Sequence, residues 1–168
     1  MGQIWRMMIL IFSLVIIDQI TKALILQYMQ HGEIIPVING FFNISHVRNE
    51  GAAFGFGSDF NDTLRIFLFK FLPVLACFWL CYLIWITRKD KLLQNISYSL
   101  ILSGAIGNLI DRFVHNFVVD FLDFYIKENH FPSFNVADSA ITVGAILLII
   151  DMIIEVRNEK NATSSSET

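Results

Sequence analysis

Four long apolar stretches, near residues 4–26, 64–87, 92–112 and 136–156, alternate with short polar segments and organise the chain. Each is about 20 residues long, the length a helix needs to cross roughly 30 Å of hydrocarbon. Between the first two, the pattern changes. Residues Ile34 to Gly57, IIPVINGFFNISHVRNEGAAFGFG, are rich in β-branched and aromatic residues, and Asn39-Gly40 separates IIPVI from FFNISHV. That arrangement predicts a hairpin, and with it a small antiparallel sheet outside the membrane. Between the third and fourth stretches, residues 113–135 contain VVDFLDFY, too apolar to float free and therefore expected to lie in the membrane interface. The predicted fold is an integral membrane protein, mainly α, with four transmembrane helices and a small β-sheet in the first external loop. A single domain spans 1–157. Residues 158–168, NEKNATSSSET, are expected to form a polar, disordered tail.

Composition sharpens this. Hydrophobic residues make up 55% of the chain and charged residues only 16%, which departs from soluble averages in the direction of a membrane protein. Arg6 precedes the first run as in a secretory signal, but the run is too long and no small-residue cleavage site follows, so it is read as a retained span. With the amino terminus inside, Arg6, Arg88, Lys89, Lys91, Arg157 and Lys160 fall on the inner side. Arg48, Arg65, Lys70, Arg112 and Lys127 fall outside. The numerical bias is small, but three inner charges crowd into the short connection TRKDK, the kind of loop that obeys the positive-inside rule, so both termini are placed in the cytoplasm. A net charge of −3 without a basic block argues against nucleic acid as a partner. Cys77 and Cys81 stand at helical spacing with no matching metal ligands nearby, and read as small apolar packing residues.

Ionisable residues at membrane depth cost about 2.5 to 3.5 kcal/mol each on insertion scales, so each needs a reason. Asp18 and Lys22, in DQITK, are four apart and share a helix face, where they can neutralise each other. Asp18 lies roughly 21 Å along the axis from Ile4 at about 1.5 Å per residue, in the outer half. The third stretch ends in GAIGNLIDR, residues 104–112. Gly104 with Asn108, and Ser103 with Gly107, make small-or-polar steps of four that admit a neighbouring helix backbone. Packing does not account for Asn108, Asp111 and Arg112 together, and an Asp111 to Arg112 charge balance facing a wet cavity is expected. The fourth stretch opens with FNVAD, where Asn135 suits a helix N-cap and Asp138 the first turn. Lys70 can snorkel to the outer face, and Asp151 with Glu155 to the inner face.

The first stretch runs outward, the third ends outside and the fourth begins outside, so these polar residues converge at the outer boundary. Two aspartates in one water-limited pocket cannot both ionise easily. One then deprotonates water while the other protonates a scissile carbonyl, the chemistry of aspartic proteolysis, which requires no cofactor. In this order, DQITK, NEGAAFG at 49–55, GAIGNLIDR, VVDFLDF and FNVAD resemble the bacterial lipoprotein signal peptidase (signal peptidase II) family, over residues 4 to about 156. The resemblance implies a multi-pass aspartic endopeptidase of the bacterial inner (cytoplasmic) membrane, monomeric, with its sheet and active site at the periplasmic face. Its implied substrates are prolipoproteins already carrying diacylglycerol on cysteine, cut on the amino side of that cysteine, and membrane lipid and globomycin-type cyclic peptide inhibitors are implied partners. The implied catalytic pair is Asp120 and Asp138. Asp18, Lys22, Asn49, Asn108, Arg112 and Asn135 are implied to line or support the substrate pocket, with Gly51 and Gly55 allowing close approach of an extended peptide. Asp111 is expected to brace Arg112, and Asp123 to be structural.

Other classes fit less well. A transporter or channel would need charges through the inner half as well, and that half is almost free of them. Neither H-E-x-x-H nor G-x-S-x-G occurs, and His31, His46, His115 and His130 show no ligand spacing. A purely structural helical membrane protein leaves the acids of the external segments unexplained.

Overall fold

The computed structural model of the protein describes residues 2–51, 56–57, 59–87 and 91–166. Gly55, most of the NEGAAFG motif, and the loop cations Arg88 and Lys89 lie outside the described residues. The first apolar run is one helix, α1 (Gly2–Tyr28). The second is a composite: α2 (Asp62–Ile66), capped by the Asn61 side chain on the Leu64 N–H, passes through a π-helical turn at Phe67–Phe71 into α3 (Leu72–Ile86). The third and fourth are α4 (Leu92–Val114) and α5 (Val136–Ser166). Among the described residues, three helices are long and apolar enough to cross a membrane: α1, the continuous α2–α3 segment and α5. The fourth expected span, α4, has comparable length but concentrates polar residues on its packed side. Asn95, Ser97, Ser99, Ser103 and Asn108 are buried there. Three of the serines return their hydroxyls to their own helix, at Leu93 O, Asn95 O and Leu100 O, so burial leaves them satisfied. The polar run expected to form a tail from Asn158 onward meets a helix that continues to Ser166.

The small residues of α4 do what their spacing predicts. A Cβ on Gly104 would stand 2.2 Å from the Ala137 carbonyl oxygen, and one on Gly107 would stand 2.5 Å from an Asp18 carboxylate oxygen. These glycines allow α5 and α1 to close on α4 at the level of the buried polar groups. Because the obstacle to Gly104→Ala is backbone rather than a flexible side chain, that variant is expected to lose about 1–3 kcal/mol or more, the usual cost of overpacking. A thermal melt in detergent checks it.

Outside the helices, β1 (Ile34–Ile38), β2 (Phe42–Asn49), β3 (Val118–Ile126) and β4 (Asn129–His130) form one antiparallel sheet in the order β1-β2-β3-β4. The predicted hairpin is present: Asn39 and Gly40 make its turn, with Gly40 at φ +80° and the Phe41 N–H closing on Ile38 O at 3.0 Å. The sheet is nevertheless not confined to the first external segment. VVDFLDFY, expected to lie in the interface, forms the inner strand β3, paired with β2 from Phe42↔Phe124 to Asn49↔Val118. Its first four residues are all buried, and a strand buried on both faces reads as a continuous apolar run, with no alternation to reveal it. Val119 and Phe121 pack with Ile25 and Met29 of the α1 exit, and Val136 joins this cluster from the start of α5. That core locks the sheet onto the helix ends, which sets the depth of the site.

Candidate active site

On a strand, residues three apart point to opposite faces. Asp120 and Asp123 of β3 therefore serve different surroundings. Asp120 faces a cavity of about 750 Å³ whose wall also carries Asn49, Asn108, Arg112 and Asp138. The Asp120 carboxylate accepts from Asn135 Nδ2 at 2.7 Å on one oxygen and from Asn49 Nδ2 at 3.0 Å on the other. Asp138, one turn into α5, accepts from Asn108 Nδ2 at 2.7 Å and from the Asn135 backbone N–H at 3.2 Å. Asn135 in turn caps the helix, its Oδ1 accepting the Asp138 N–H at 2.9 Å. The capping reading of FNVAD holds, and the reciprocal cap also fixes where the Asp138 carboxylate points. A single asparagine, wholly buried, touches both carboxylates.

Behind this wall lies a second layer. Lys22 Nζ, only 2% exposed, contacts Asp18 at 2.9 Å, Asp111 at 3.0 Å and Asn108 Oδ1 at 2.9 Å. Asp18 also accepts the Ala137 N–H at 2.9 Å, satisfying one of the unpaired amides at the α5 start. Asp18 and Lys22, expected at the substrate pocket, thus sit behind Asn108 rather than on the cavity wall. Asp111 does not brace Arg112 as expected. Its carboxylate takes the Lys22 ammonium, the Gln19 amide at 3.0 Å and the backbone N–H of Val119 at 3.0 Å, which ties β3 to α4 beside Asp120. Arg112 turns the other way, donating to Gly51 O at 2.9 Å with its guanidinium 5.8 Å from the centre of the Phe69 ring. An aspartate in the last turn of a helix, with its neighbour cation pointed elsewhere, finds its partner on another helix, and adjacency in sequence could not reveal that. Gln19 was also missed. Only its place inside DQITK, between two buried charges, hinted at it.

Burial pushes the Asp120 carboxyl up to about 7, and the nearby charge of Asp138 adds to the rise, against smaller opposing effects of the Asn49 and Asn135 hydrogen bonds and of Lys22. Two acids beside one cavity, one of them holding its proton near neutrality, are arranged for proton exchange with a molecule between them. Asp123 has a different setting, buried between Asn43 Nδ2 at 2.8 Å and His130 Nδ1 at 2.8 Å.

The architecture is that of a bacterial membrane enzyme. Two solved structures described as bacterial membrane enzymes, determined by the in meso method at 2.3 Å and 1.9 Å resolution, superpose on it with TM-scores of 0.84 and 0.77 and sequence identities of 35% and 34%. The first match covers 92% of each chain; the second covers 89% of this chain and 93% of the other. The model of the family described as signal peptidase (SPase) II matches residues 10–154. Lipoprotein signal peptidases of Geobacter metallireducens and Cupriavidus necator are 45% and 47% identical to the chain, over 89% and 85% of its length and 94% and 80% of theirs. The chain belongs to the signal peptidase II family, a family of proteases, and lipoprotein signal peptidase activity is the function these likenesses support.

Proposed function

We propose that the protein is an aspartic endopeptidase that removes the signal peptide from diacylglyceryl-modified prolipoproteins, cutting on the amino side of the lipidated cysteine. The observation that carries this is the pairing of Asp120 and Asp138 on one cavity wall, each held by asparagine donors and joined through Asn135. In the reaction, the ionised carboxylate of the pair takes a proton from water as it attacks the scissile carbonyl carbon. The protonated partner gives its proton to the carbonyl oxygen. On collapse of the tetrahedral intermediate the leaving amine takes a proton from one carboxyl while a hydroxyl of the intermediate gives its proton to the other, so the pair ends with the single proton it began with. Asn49 and Asn135 orient Asp120, Asn108 orients Asp138, and Arg112 with the Gly51 carbonyl borders the path of an extended peptide; Gly55 is assigned to the same path. Asp18 and Lys22 hold Asn108 and the α5 start, so their part in substrate binding is indirect. The apolar remainder of the cavity, which includes Pro73, Ala105, Ile141 and Val143, suits the signal peptide and the acyl chains.

In this reading α4 completes a set of four spans, both termini face the cytoplasm, and the sheet and dyad stand at the periplasmic face of the inner membrane. The enzyme acts as a monomer and is blocked by globomycin-type cyclic peptides. The test is incubation of detergent-purified protein with a diacylglyceryl-modified precursor and with its unlipidated form. Cleavage of the first alone, at the amino side of cysteine, is the expected result, and equal cleavage of both would defeat the proposal.

The raised Asp120 carboxyl also makes the activity pH-dependent. Below about 7 Asp120 holds a proton that it can give to the carbonyl oxygen; above it Asp120 is ionised and cannot act as that acid. The rate is expected to fall along an alkaline limb centred near 7. Stability moves in the same direction. Because the fold favours the protonated form, the Asp120 contribution declines as pH rises from the ordinary carboxylate value of 3.8 through about 7. A rate profile flat from pH 6 to 9 would contradict this assignment of the proton.

A further inference from the structure

The segment that follows β4 stands between two cavities. Phe131, Pro132 and Ser133 line the dyad cavity on one side and, on the other, a second cavity of about 300 Å³ that is also lined by Asp123 and His130. The segment is held by backbone bonds from Phe131 N to Phe124 O at 2.7 Å and from Phe134 N to Leu122 O at 3.1 Å. Its turn side pairs with β3 at Tyr125↔His130 and Ile126↔Asn129, and side chains reinforce that short ladder. His130 Nδ1 meets both Asp123 oxygens, at 2.8 and 3.0 Å, and the His130 ring stacks on Tyr125 with centroids 4.8 Å apart and planes 6° from parallel. Asp123 is only 4% exposed and is itself fixed from β2 by Asn43 Nδ2. A buried carboxylate between two donors is a rigid anchor, since any shift that broke either contact would leave it under-solvated.

We propose that Asp123 and His130 form a latch that positions the Phe131–Phe134 wall of the dyad cavity, and that both are positioning residues for substrate binding in the reaction proposed above. Neither touches the reacting atoms. The latch works because the second cavity gives the wall somewhere to go. With the contact broken, Phe131 can move away from the dyad side, and the site loses its fit to the peptide while the dyad geometry, set by Asn49, Asn108 and Asn135, stays intact. The signature is a change in KM without a matching change in kcat.

The test compares His130→Ala, Asp123→Ala and Asp123→Asn with the parent protein in detergent. His130→Ala is the milder variant, because that side chain is 46% exposed and its removal opens no buried cavity. Both alanine variants are expected to raise KM for a lipidated precursor about fivefold, the size of one modest hydrogen bond, and to leave kcat within about twofold. Asp123→Asn, whose amide can still meet Asn43 and His130, restores most of the loss. Amide hydrogen exchange at Phe131 and Phe134 should accelerate in the alanine variants and not in Asp123→Asn. Lowered thermal stability with unchanged KM and unchanged exchange at these two amides would overturn the latch. The exchange measurement needs no substrate, so failure of the latch is distinguishable from failure of the proteolytic reading, which would show first in the parent protein.

Discussion

Asp120→Asn and Asp138→Asn are each expected to yield a folded protein that retains substrate and inhibitor binding but cleaves at least about a thousandfold more slowly, within the range lost when a general acid or base is removed. An amide can neither take the proton from water nor return one to the leaving amine. The fold should survive because a neutral amide replaces a group whose ionisation burial opposes, which offsets the mismatch the new amide makes with the donor Asn49. Asp138→Asn keeps an oxygen for Asn108 while weakening the reciprocal cap with the Asn135 N–H. The check is single-turnover cleavage alongside a thermal melt. Near-normal cleavage by either variant would remove the dyad from the mechanism.

The second large effect is expected from Lys22→Met. Methionine fills similar volume but strips the ammonium from between Asp18 and Asp111, 1% and 2% exposed respectively. Two carboxylates would then face each other in a buried site and Asn108 Oδ1 would lose its shortest donor. Breaking a buried pair by removing one partner costs about 3–5 kcal/mol, a large share of the stability of a typical domain. Activity falls with it, since Asn108 also orients Asp138. Adding Asp18→Asn and Asp111→Asn to Lys22→Met should recover a good part of the melting temperature by removing the orphaned charges. If Lys22→Met melts within a degree or two of the parent, the three-way contact is not the anchor described above.

The protein also shows how one motif can start a helix and line a cavity at once. FNVAD reads as a helix start, and the structure uses that start to aim Asp138, with Asn135 serving as cap for α5 and as donor to Asp120. Likewise Gly104 and Gly107 are packing residues, but what they admit at close range is the Ala137 carbonyl and the Asp18 carboxylate, both part of the frame behind the site.

What the sequence determined by itself follows from periodicity and local chemistry. Apolar runs of membrane length marked the helices, Asn39-Gly40 marked the hairpin, and i,i+4 spacing marked the Asp18–Lys22 pair and the close faces of α4. These are interactions between residues near in the chain, where spacing alone fixes who meets whom. The tertiary structure decided the rest. It made VVDFLDFY an inner strand, because a strand buried on both faces carries no alternation to announce it. It sent Asp120 and Asp123 to opposite sides of that strand, one to the cavity shared with Asp138 and one to the Asn43–His130 contact. It also gave Asp111 to Lys22 and the Val119 amide instead of to Arg112. A buried charge takes whichever partner best replaces its lost water, and for Asp111 that partner lies 89 positions away in the chain, where only the packing of α1 against α4 could bring it.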